Sequence, residues 1–474
     1  MNKYKKLIYN SGLMLIGNIG SKLLVFLLLP FYTKYLTPVL YGELNMITAL
    51  MNFFTPILTL EIAASVFRFS NQKSNEEQNE ILISSLFGII PFMMVFLILG
   101  KFIAVYFKID YLLNYYLIIS IIFLISYMNS ILKENLRTNS KIKIYSLIGI
   151  IETFCTVILN VILVPKYKIL GMFYSQVIAL TLISLILIYF TKLYKKIFIS
   201  YFNVKIIKEM LSYSLPLIPN AVIWWIIGLS DRFFLKYYFG FFEVGLYSLT
   251  NKFPMVLTII FNIFYSSFQI SALEEYKSEE YNKFFNNIFE IINFILVSCT
   301  VVIIFIIKPL IEILISNNYG EVWKFVPLLL VANLFSSYAA ILGVNYLALK
   351  NSKGVLKSSA IAMITNVILN IVLIPKYSIY GASVATILSY VVLFFIRKKD
   401  SKKLINLEVN YKFYFINIIP VLMFIILISD INECKKYLFM GVSILVFLVF
   451  EYKKINIVLN YLKKYIKGLK VWRK

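Results

Sequence analysis

Long apolar runs alternate with short polar segments over almost the whole chain. A transmembrane helix needs about 20 predominantly apolar residues, because the hydrocarbon core of a bilayer is about 30 Å thick. Runs of that length predict about 14 spans, at 12–31, 44–66, 81–106, 111–132, 145–164, 170–191, 211–230, 244–268, 285–307, 325–348, 356–374, 379–396, 413–429 and 437–450. Almost nothing is left for a soluble domain, so the predicted fold is an all-α, polytopic membrane protein.

The distribution of Lys and Arg tests this count. With the N-terminus inside, 33 of the 47 Lys and Arg residues fall in cytoplasmic segments, 12 fall outside, and Lys22 and Lys252 lie within spans. Cytoplasmic loops carry an excess of these residues, and one missing span would scramble the alternation. The pattern therefore predicts that both termini are cytoplasmic. After Tyr452, apolar and basic residues alternate as in a helix that lies in the inner membrane interface.

The amino-acid composition limits the kinds of functional site that the chain can form. The chain is 60% hydrophobic and 15% charged, with no His and with three Cys that show no CxxC spacing. The commonest metal ligand is thus absent, and neither a metal site nor a disulfide framework is predicted. A net charge of +24 would suit nucleic acid, but the basic residues are divided among short segments between apolar runs. This division is typical of membrane topology and predicts no nucleic-acid partner.

Two sequence matches indicate an internal duplication. VILNVILVPKYKILGM at 157–172 and VILNIVLIPKYSIYGA at 367–382 are identical at ten of sixteen positions, 210 residues apart, and LMLIGN at 13–18 matches LPLIPN at 215–220. Each repeat then holds six helices, and because six is even the repeats share one orientation, about an axis along the membrane normal. The predicted organisation is a six-helix bundle at 1–197, a second at 198–400, and two additional helices with the basic tail at 401–474.

The repeated motif also makes local predictions. A helix is expected to end at its proline, the next span to begin at its glycine, and its asparagine to face another helix, since an amide inside hydrocarbon needs a partner. In the two copies these residues are Asn160, Pro165 and Gly171, and Asn370, Pro375 and Gly381.

Polar residues inside the spans mark the candidate site. A charge at the centre of a bilayer costs about 2.5–3.5 kcal/mol on insertion scales, so it normally faces a bundle interior or water. Helices one, two, seven and eight carry polar residues at spacings that place them on one face, including Ser65 in helix two and Asn251, Thr258, Asn262 and Gln269 in helix eight. The substrate-binding candidates are Asn18, Lys22, Arg68, Asn220, Trp224, Arg232 and Lys252.

Three embedded carboxylates, Glu61, Glu152 and Asp231, are the candidates for ion coupling. An acid in an apolar setting can titrate, and so can bind H⁺ or Na⁺. Each could equally be the counter-ion of an embedded lysine. No cofactor is expected, because the chain lacks a GxxxxGK[ST] loop for ATP. A coupled ion or the membrane potential is then the expected source of energy.

Four segments carry a resemblance to a known family: PFYTKYLTPVLYGELN at 30–45, ILNVILVPKYKILG at 158–171 with its repeat copy, SLPLIPNAVIWWIIGLSDRFFL at 214–235 and EVGLYSLTNKF at 243–253. With them the chain resembles the Wzx-type flippases, in the polysaccharide transporter family of the multidrug/oligosaccharidyl-lipid/polysaccharide (MOP) exporter superfamily. The resemblance implies two six-helix bundles facing a central cavity. It also implies movement of undecaprenyl-pyrophosphate-linked glycans from the inner to the outer face of the bacterial plasma membrane.

In such a cavity we expect Lys22, Arg232 and Lys252 to attract the pyrophosphate, with Arg68 near the inner mouth and Trp224 beside the sugars. The expected partners are the lipid-linked glycan, membrane lipids, a glycan polymerase and glycosyltransferases. Whether the glycan belongs to capsule, O-antigen or another polymer is not encoded in a recognisable motif.

Three alternatives stay open. A multidrug exporter of the same superfamily should favour an anionic cavity, whereas here embedded cations rival embedded acids in number. A lipid II flippase would differ only in its substrate. A membrane polysaccharide polymerase or ligase would need a sizeable external loop, and no outside segment exceeds about twenty residues. The sequence therefore favours a transporter over an enzyme.

Overall fold

The computed structural model describes residues 26–471 apart from 71–72, 140, 196–200, 350, 403–404 and 408–410, together with Gly20 and Leu24. No β-strand occurs in these residues. The helices are α1 (Leu29–Tyr35), α2 (Pro38–Thr59), α3 (Ile62–Ser70), α4 (Asn75–Gly88), α5 (Ile90–Tyr106), α6 (Asp110–Leu113), α7 (Tyr116–Thr138), α8 (Ile142–Thr191), α9 (Val204–Ser214), α10 (Ile218–Phe239), α11 (Phe241–Thr250), α12 (Pro254–Glu275), α13 (Tyr281–Leu314), α14 (Val326–Ala348), α15 (Ser352–Ser401), α16 (Tyr411–Ile428) and α17 (Glu433–Val471).

The helices account for the predicted spans. Within the described residues, nine helical segments are long and apolar enough to cross a membrane, and the bent pair of α2 and α3 makes ten. Two of the ten, α8 and α15, have 50 residues and an internal break, so each crosses twice. The first predicted span lies mostly outside the described residues, and the last corresponds to α17. The chain is therefore a multi-pass, all-α membrane protein, as predicted.

The two hairpin helices show the duplication in three dimensions. Both bounds of α15 lie 210 residues after those of α8. Their breaks are at Lys168 (φ 53°, ψ −123°) and Ser378 (φ 47°, ψ −125°), again 210 residues apart. The prediction that helices end at Pro165 and Pro375 is wrong by three residues. The ring and missing N–H of a proline disturb the turn before it, so the next turn stays helical.

Each return helix begins with a close backbone approach. A Cβ added at Gly171 would lie 2.5 Å from the carbonyl oxygen of Leu163, and one added at Gly381 would overlap that of Leu373. Real Cβ atoms do not come this close to backbone atoms. The two motif glycines therefore let each hairpin close tightly.

The motif asparagines are buried, but their contacts differ. Asn160 donates from Nδ2 to the hydroxyl of Tyr32 in α1 (2.8 Å), which confirms that it faces another helix. Asn370 donates from Nδ2 to Oδ1 of Asn366, one turn earlier in its own helix (3.1 Å). A local amide contact thus takes part of the role that the sequence assigned to a neighbouring helix.

Packing divides the chain into two compact units, the first ending at Gly245 and the second beginning at Leu246. In unit 1, α2 packs against α10, α3 against α7 and α9, and α7 against α8. In unit 2, α14 is the central helix, mostly buried among α12, α13, α15 and α16. This division follows contacts rather than sequence repeats, so the boundaries predicted at 197 and 400 stay a prediction.

A buried polar cluster attaches the first additional helix, α16, to unit 2. The hydroxyl of Tyr338 lies 2.6 Å from Oδ1 of Asn293 and 2.8 Å from Oδ1 of Asn417, and Nδ2 of Asn417 donates to Oδ1 of Asn293 (3.0 Å). Such hydrogen bonds hold helices together where no water competes. Helix α17 packs on α16 and continues unbroken to Val471. The side chains of the predicted interfacial tail lie outside the described residues.

Candidate functional site

The second predicted span is broken where it carries its acid. Helices α2 and α3 meet at a bend of 48°, and Leu60 and Glu61 adopt left-handed backbone angles (φ 48° and 52°). Pro56, one turn earlier, removes a backbone donor from α2. Glu61 is half-buried, and its carboxylate forms no ion pair or hydrogen bond with a described residue. Discontinuous helices of this kind form substrate and ion sites in many transporters.

The polar face that follows Glu61 contacts α9. Ser65 donates from Oγ to the carbonyl oxygen of Met210 (2.9 Å), and the guanidinium carbon of Arg68 lies 4.3 Å from the ring centre of Tyr213. Arg68 remains exposed. The spacing correctly placed these residues on one face, but it could not show that the face packs on a helix of the same unit.

One face of α10 is buried at one end and exposed at the other. Ile227, Asp231 and Leu235 recur at helical spacing and are buried, and α2 is the main neighbour of this helix. Asn220 and Trp224 lie on the same face nearer its start, and both are exposed, Trp224 to 38%. Asp231 is only 3% exposed. Asn220, Trp224 and Asp231 therefore lie on one face of α10, as their spacing predicted, and only the first two are exposed.

Beyond the buried half of that face, α2 and α11 touch backbone to backbone. A Cβ added at Gly42 would overlap the carbonyl oxygen of Phe241 and lie 2.8 Å from the amide nitrogen of Gly245. A Cβ added at Gly245 would overlap the carbonyl oxygen of Pro38. We call this contact, formed by Pro38, Gly42, Phe241 and Gly245, the glycine seam; the predicted topology places it at the outer end.

Sequence reasoning missed the glycine seam, although a signal existed. Gly42 and Gly245 are 203 residues apart, within one residue of the offset between the first matched segments of the two repeats. The two glycines therefore occupy corresponding places in the two copies. A glycine shared by both copies at the start of a helix could have suggested a close approach.

Aromatic and cationic side chains extend the glycine seam. The rings of Tyr111 and Phe241 pack edge to face at 5.2 Å. The ammonium of Lys236 lies 4.8 Å from the ring centre of Tyr111 and 5.7 Å from that of Phe241, within the range of cation–π attraction. These contacts link α6, the end of α10 and the start of α11 at the end of unit 1 where the polar face is buried.

The predicted polar residues of helix eight belong to unit 2. Asn251 and Lys252 are half-buried in the turn between α11 and α12, where Nδ2 of Asn251 donates to the carbonyl oxygen of Tyr247 (2.9 Å). Thr258 accepts from Nδ2 of Asn333 in α14 (2.9 Å). Asn262 and Gln269 are half-buried. Asn18 and Lys22 lie outside the described residues, so the clustering of Lys22, Arg232 and Lys252 stays a prediction.

Glu152 is held by an ion pair. Its carboxylate contacts the ammonium of Lys133, which joins α8 to α7, and each side chain is 25% exposed. By sequence alone, Lys133 is one of the basic residues of the predicted cytoplasmic segment after helix four. Its distance from Glu152 along the chain, 19 residues, hid the pairing, because helical spacing reports only on neighbours within one helix.

We expect the Glu152→Gln variant to lower the thermal unfolding midpoint, because it leaves Lys133 without its counter-ion in a partly buried setting. Removing one member of a buried pair is far more damaging than removing both. The double variant Lys133→Gln/Glu152→Gln should therefore recover most of the loss, as measured in detergent by the fluorescence of purified protein. A double variant less stable than the single one would contradict this role.

Comparison with known proteins assigns the chain to a family. The model of the family described as "polysaccharide biosynthesis protein" matches residues 7–269, more than half of the chain. No curated protein matches the chain significantly.

Solved structures share the fold. The lipid II flippase MurJ in an inward closed conformation is similar with a TM-score of 0.73 at 20% identity, over 94% of this chain and 99% of that one. An inward-facing multidrug resistance MATE family transporter is similar with 0.67 at 13%, over 81% and 95%. A MOP superfamily transporter from Pyrococcus furiosus is similar with 0.57 at 13%, over 84% and 96%. The chain thus belongs to the polysaccharide biosynthesis protein family and has the fold of the MOP superfamily.

Proposed function

We propose that the protein is a flippase that moves undecaprenyl-pyrophosphate-linked oligosaccharide units across the bacterial plasma membrane by alternating access. The observation that supports this most is the polar face of α10. Its outer half is buried beside the glycine seam, whereas Asn220 and Trp224 are exposed toward the predicted inner side. A polar path that is closed at one end and accessible at the other is what a carrier needs before it takes up substrate.

The cations of the spans would attract the lipid-borne pyrophosphate. A pyrophosphate diester carries about two negative charges, and charge-assisted hydrogen bonds to it strengthen in a low-dielectric setting. In this proposal Lys22, Arg232 and Lys252 bind the diphosphate, and the exposed Arg68 meets it first near the inner mouth. Asn18, Asn220 and Trp224 contact the sugars, for which an indole offers an apolar stacking face and an amide offers hydrogen bonds.

The carboxylates of the spans would couple transport to an ion. Glu61 fits this role best, since it lies at a helix break and its carboxylate has no partner among the described residues. Binding of H⁺ or Na⁺ at Glu61 would change the charge at the bend between α2 and α3, and α2 carries one side of the glycine seam. Asp231, buried on the face of α10, is the second candidate. Glu152 is the third, and its ion pair with Lys133 favours a counter-ion role.

The family to which the chain belongs favours a sugar-lipid cargo over a drug. We propose that glycosyltransferases make the cargo on the inner face and that a glycan polymerase uses it on the outer face. The protein itself is then a transporter, not an enzyme.

Reconstituted transport tests the proposal. Purified full-length protein is placed in proteoliposomes with a fluorescent pyrophosphate-linked oligosaccharide lipid, and movement between leaflets is followed with a membrane-impermeant quencher. Truncating one partner of a buried charge pair costs about 2–5 kcal/mol, so Lys22→Ala and Lys252→Ala should each slow transport at least about 10-fold. Lys205→Ala, an exposed lysine of α9, is the control and should transport at the wild-type rate.

The same proteoliposomes test the ion coupling, the cationic site and the choice of cargo separately. A pH or sodium gradient should accelerate transport by wild-type protein, but not by Glu61→Gln. Wild-type rates in both Lys22→Ala and Lys252→Ala would contradict the cationic site. Uptake of a cationic drug without movement of the glycolipid would show that the protein is a drug exporter and not a flippase.

A further inference from the structure

A polar pocket lies at one end of unit 2. It has a volume of about 300 Å³ and forms where α14 ends and where α15 both begins and ends. Its charged and aromatic lining consists of Tyr346, Lys353, Lys357 and Asp400. Because the predicted topology places these helix ends inside, the pocket belongs at the cytoplasmic surface of the membrane.

Two lysines at the mouth of the pocket have no partner in the described part of the chain. Lys353 and Lys357 are one helical turn apart on the same face of α15, and both are exposed. Neither ammonium group forms an ion pair or a hydrogen bond with a described residue. Two positive charges that line one pocket repel each other, and an anion bound in that pocket would relieve the repulsion.

The wall behind the lysines is held rigidly by a buried arginine. Arg397 is 4% exposed and donates to Ser358 Oγ (3.2 Å), Ser359 Oγ (3.1 Å) and the carbonyl oxygen of Ala339 (2.9 Å). Its guanidinium lies 5.9 Å from the ring centre of Tyr346. The guanidinium therefore ties α14 to both ends of α15, and it adds positive potential beneath the pocket.

The acid of the pocket is already oriented. The hydroxyl of Tyr346 donates to Oδ2 of Asp400 (2.7 Å), and Asp400 is otherwise exposed. A carboxylate oxygen beside two ammonium groups can accept a hydrogen bond from a hydroxyl group of a ligand. The pocket thus offers cations for a phosphate and an acceptor for a hydroxyl.

Exposed apolar side chains occur on the same helix ends as this polar pocket. Leu347, Leu349 and Leu356 are exposed to 46%, 43% and 39%, and Leu349 also lines the pocket. Exposed leucines beside a charged pocket at the end of transmembrane helices suit acyl chains next to a headgroup. Basic pockets between helix ends on the cytoplasmic side are known to bind lipid headgroups.

We propose that this pocket binds the headgroup of an anionic, hydroxyl-bearing phospholipid of the inner leaflet, of which phosphatidylglycerol is the simplest. Lys353 and Lys357 bind the phosphate, Asp400 accepts a hydrogen bond from a headgroup hydroxyl, and the three leucines contact the acyl chains. Two lysines against one acid favour an anionic lipid over a zwitterionic one. None of these residues belongs to the proposed transport path, so the site does not depend on the flippase assignment.

Lipid titration of the purified full-length protein tests the site. Native mass spectrometry in detergent gives the affinity for phosphatidylglycerol, phosphatidic acid and phosphatidylcholine. A basic residue near an anionic membrane surface contributes about 1 kcal/mol, so Lys353→Gln/Lys357→Gln should bind phosphatidylglycerol about 30-fold more weakly. Asp400→Asn should reduce the preference for phosphatidylglycerol over phosphatidic acid, which has no headgroup hydroxyl.

A matched variant separates the pocket from general charge. Lys205→Gln/Lys208→Gln removes two exposed lysines of α9, also on the predicted inner side, and should bind phosphatidylglycerol like the wild type. Equal loss in both double variants would overturn the site in favour of diffuse charge attraction. Binding of inorganic phosphate as tight as that of phosphatidylglycerol would show that the pocket takes free phosphate and not a lipid headgroup.

Discussion

The Gly42→Ala variant is expected to transport about 10- to 100-fold more slowly than the wild type. An added Cβ would overlap the carbonyl oxygen of Phe241, and a backbone atom cannot rotate away as a flexible side chain can. Overpacking of this kind costs about 1–3 kcal/mol. This cost applies only to the state in which α2 and α11 are in contact. The closed seam becomes less populated, and a carrier that cannot close one side slows down. The measurement is the rate of glycolipid movement in proteoliposomes.

Gly245→Ala should behave like Gly42→Ala, because its Cβ would overlap the carbonyl oxygen of Pro38 across the same contact. Gly149→Ala is the control, since a Cβ there meets no atom within 4 Å and Ala is the better helix former. Wild-type transport by both seam variants would show that the seam does not need to close. Equal slowing by Gly149→Ala would point to a general effect of the substitution.

The Gly381→Ala variant is expected to be less stable by about 1–3 kcal/mol, with a lower thermal unfolding midpoint. Its Cβ would overlap the carbonyl oxygen of Leu373 across the hairpin of α15, so the two arms would have to separate. Helix α15 packs on the central helix of unit 2, so the loss should affect the whole unit. Gly171→Ala should act similarly in α8, where the same distance is 2.5 Å.

The controls for the hairpins come from the same units. Gly441 in α17 and Gly149 in α8 both have open space around an added Cβ, and their alanine variants should unfold at or above the wild-type temperature. An unchanged midpoint in Gly381→Ala would mean that the arms of α15 can move apart at little cost. In that case tight closure would not be the reason for glycine in the repeated motif.

The two sets of glycines illustrate different relations between sequence and structure. Gly171 and Gly381 stand inside the repeated motif, and the sequence predicted correctly that a new span begins there. Gly42 and Gly245 stand outside the two matched segments and were missed. The hairpin contact is local, eight residues along the chain, whereas the seam joins residues 203 apart. Patterns along the sequence can predict the local contact of a hairpin, but they do not predict the long-range contact of the seam.

The charged candidates show the same limit. Spacing placed Glu61, Ser65 and Arg68 on one face, but packing decided that Ser65 and Arg68 contact α9. Burial of Glu152 in a span suggested ion coupling or a counter-ion role, and the structure supplied Lys133 as its partner. By sequence alone, Arg397 is one of the basic residues of a predicted cytoplasmic segment, whereas the structure shows it buried and joining α14 to α15.

The sequence by itself determined the all-α membrane fold and the duplication of the helical hairpin, and it predicted which side each loop faces. These properties depend on the length of each apolar segment and on the charges beside it, because each segment inserts into the bilayer largely according to its own composition. Only the tertiary structure decided where α2 bends, which charges pair, and where two backbones meet at glycine. Those outcomes depend on contacts between residues far apart in the chain, and a helical period tells which side a residue is on but not what it meets there.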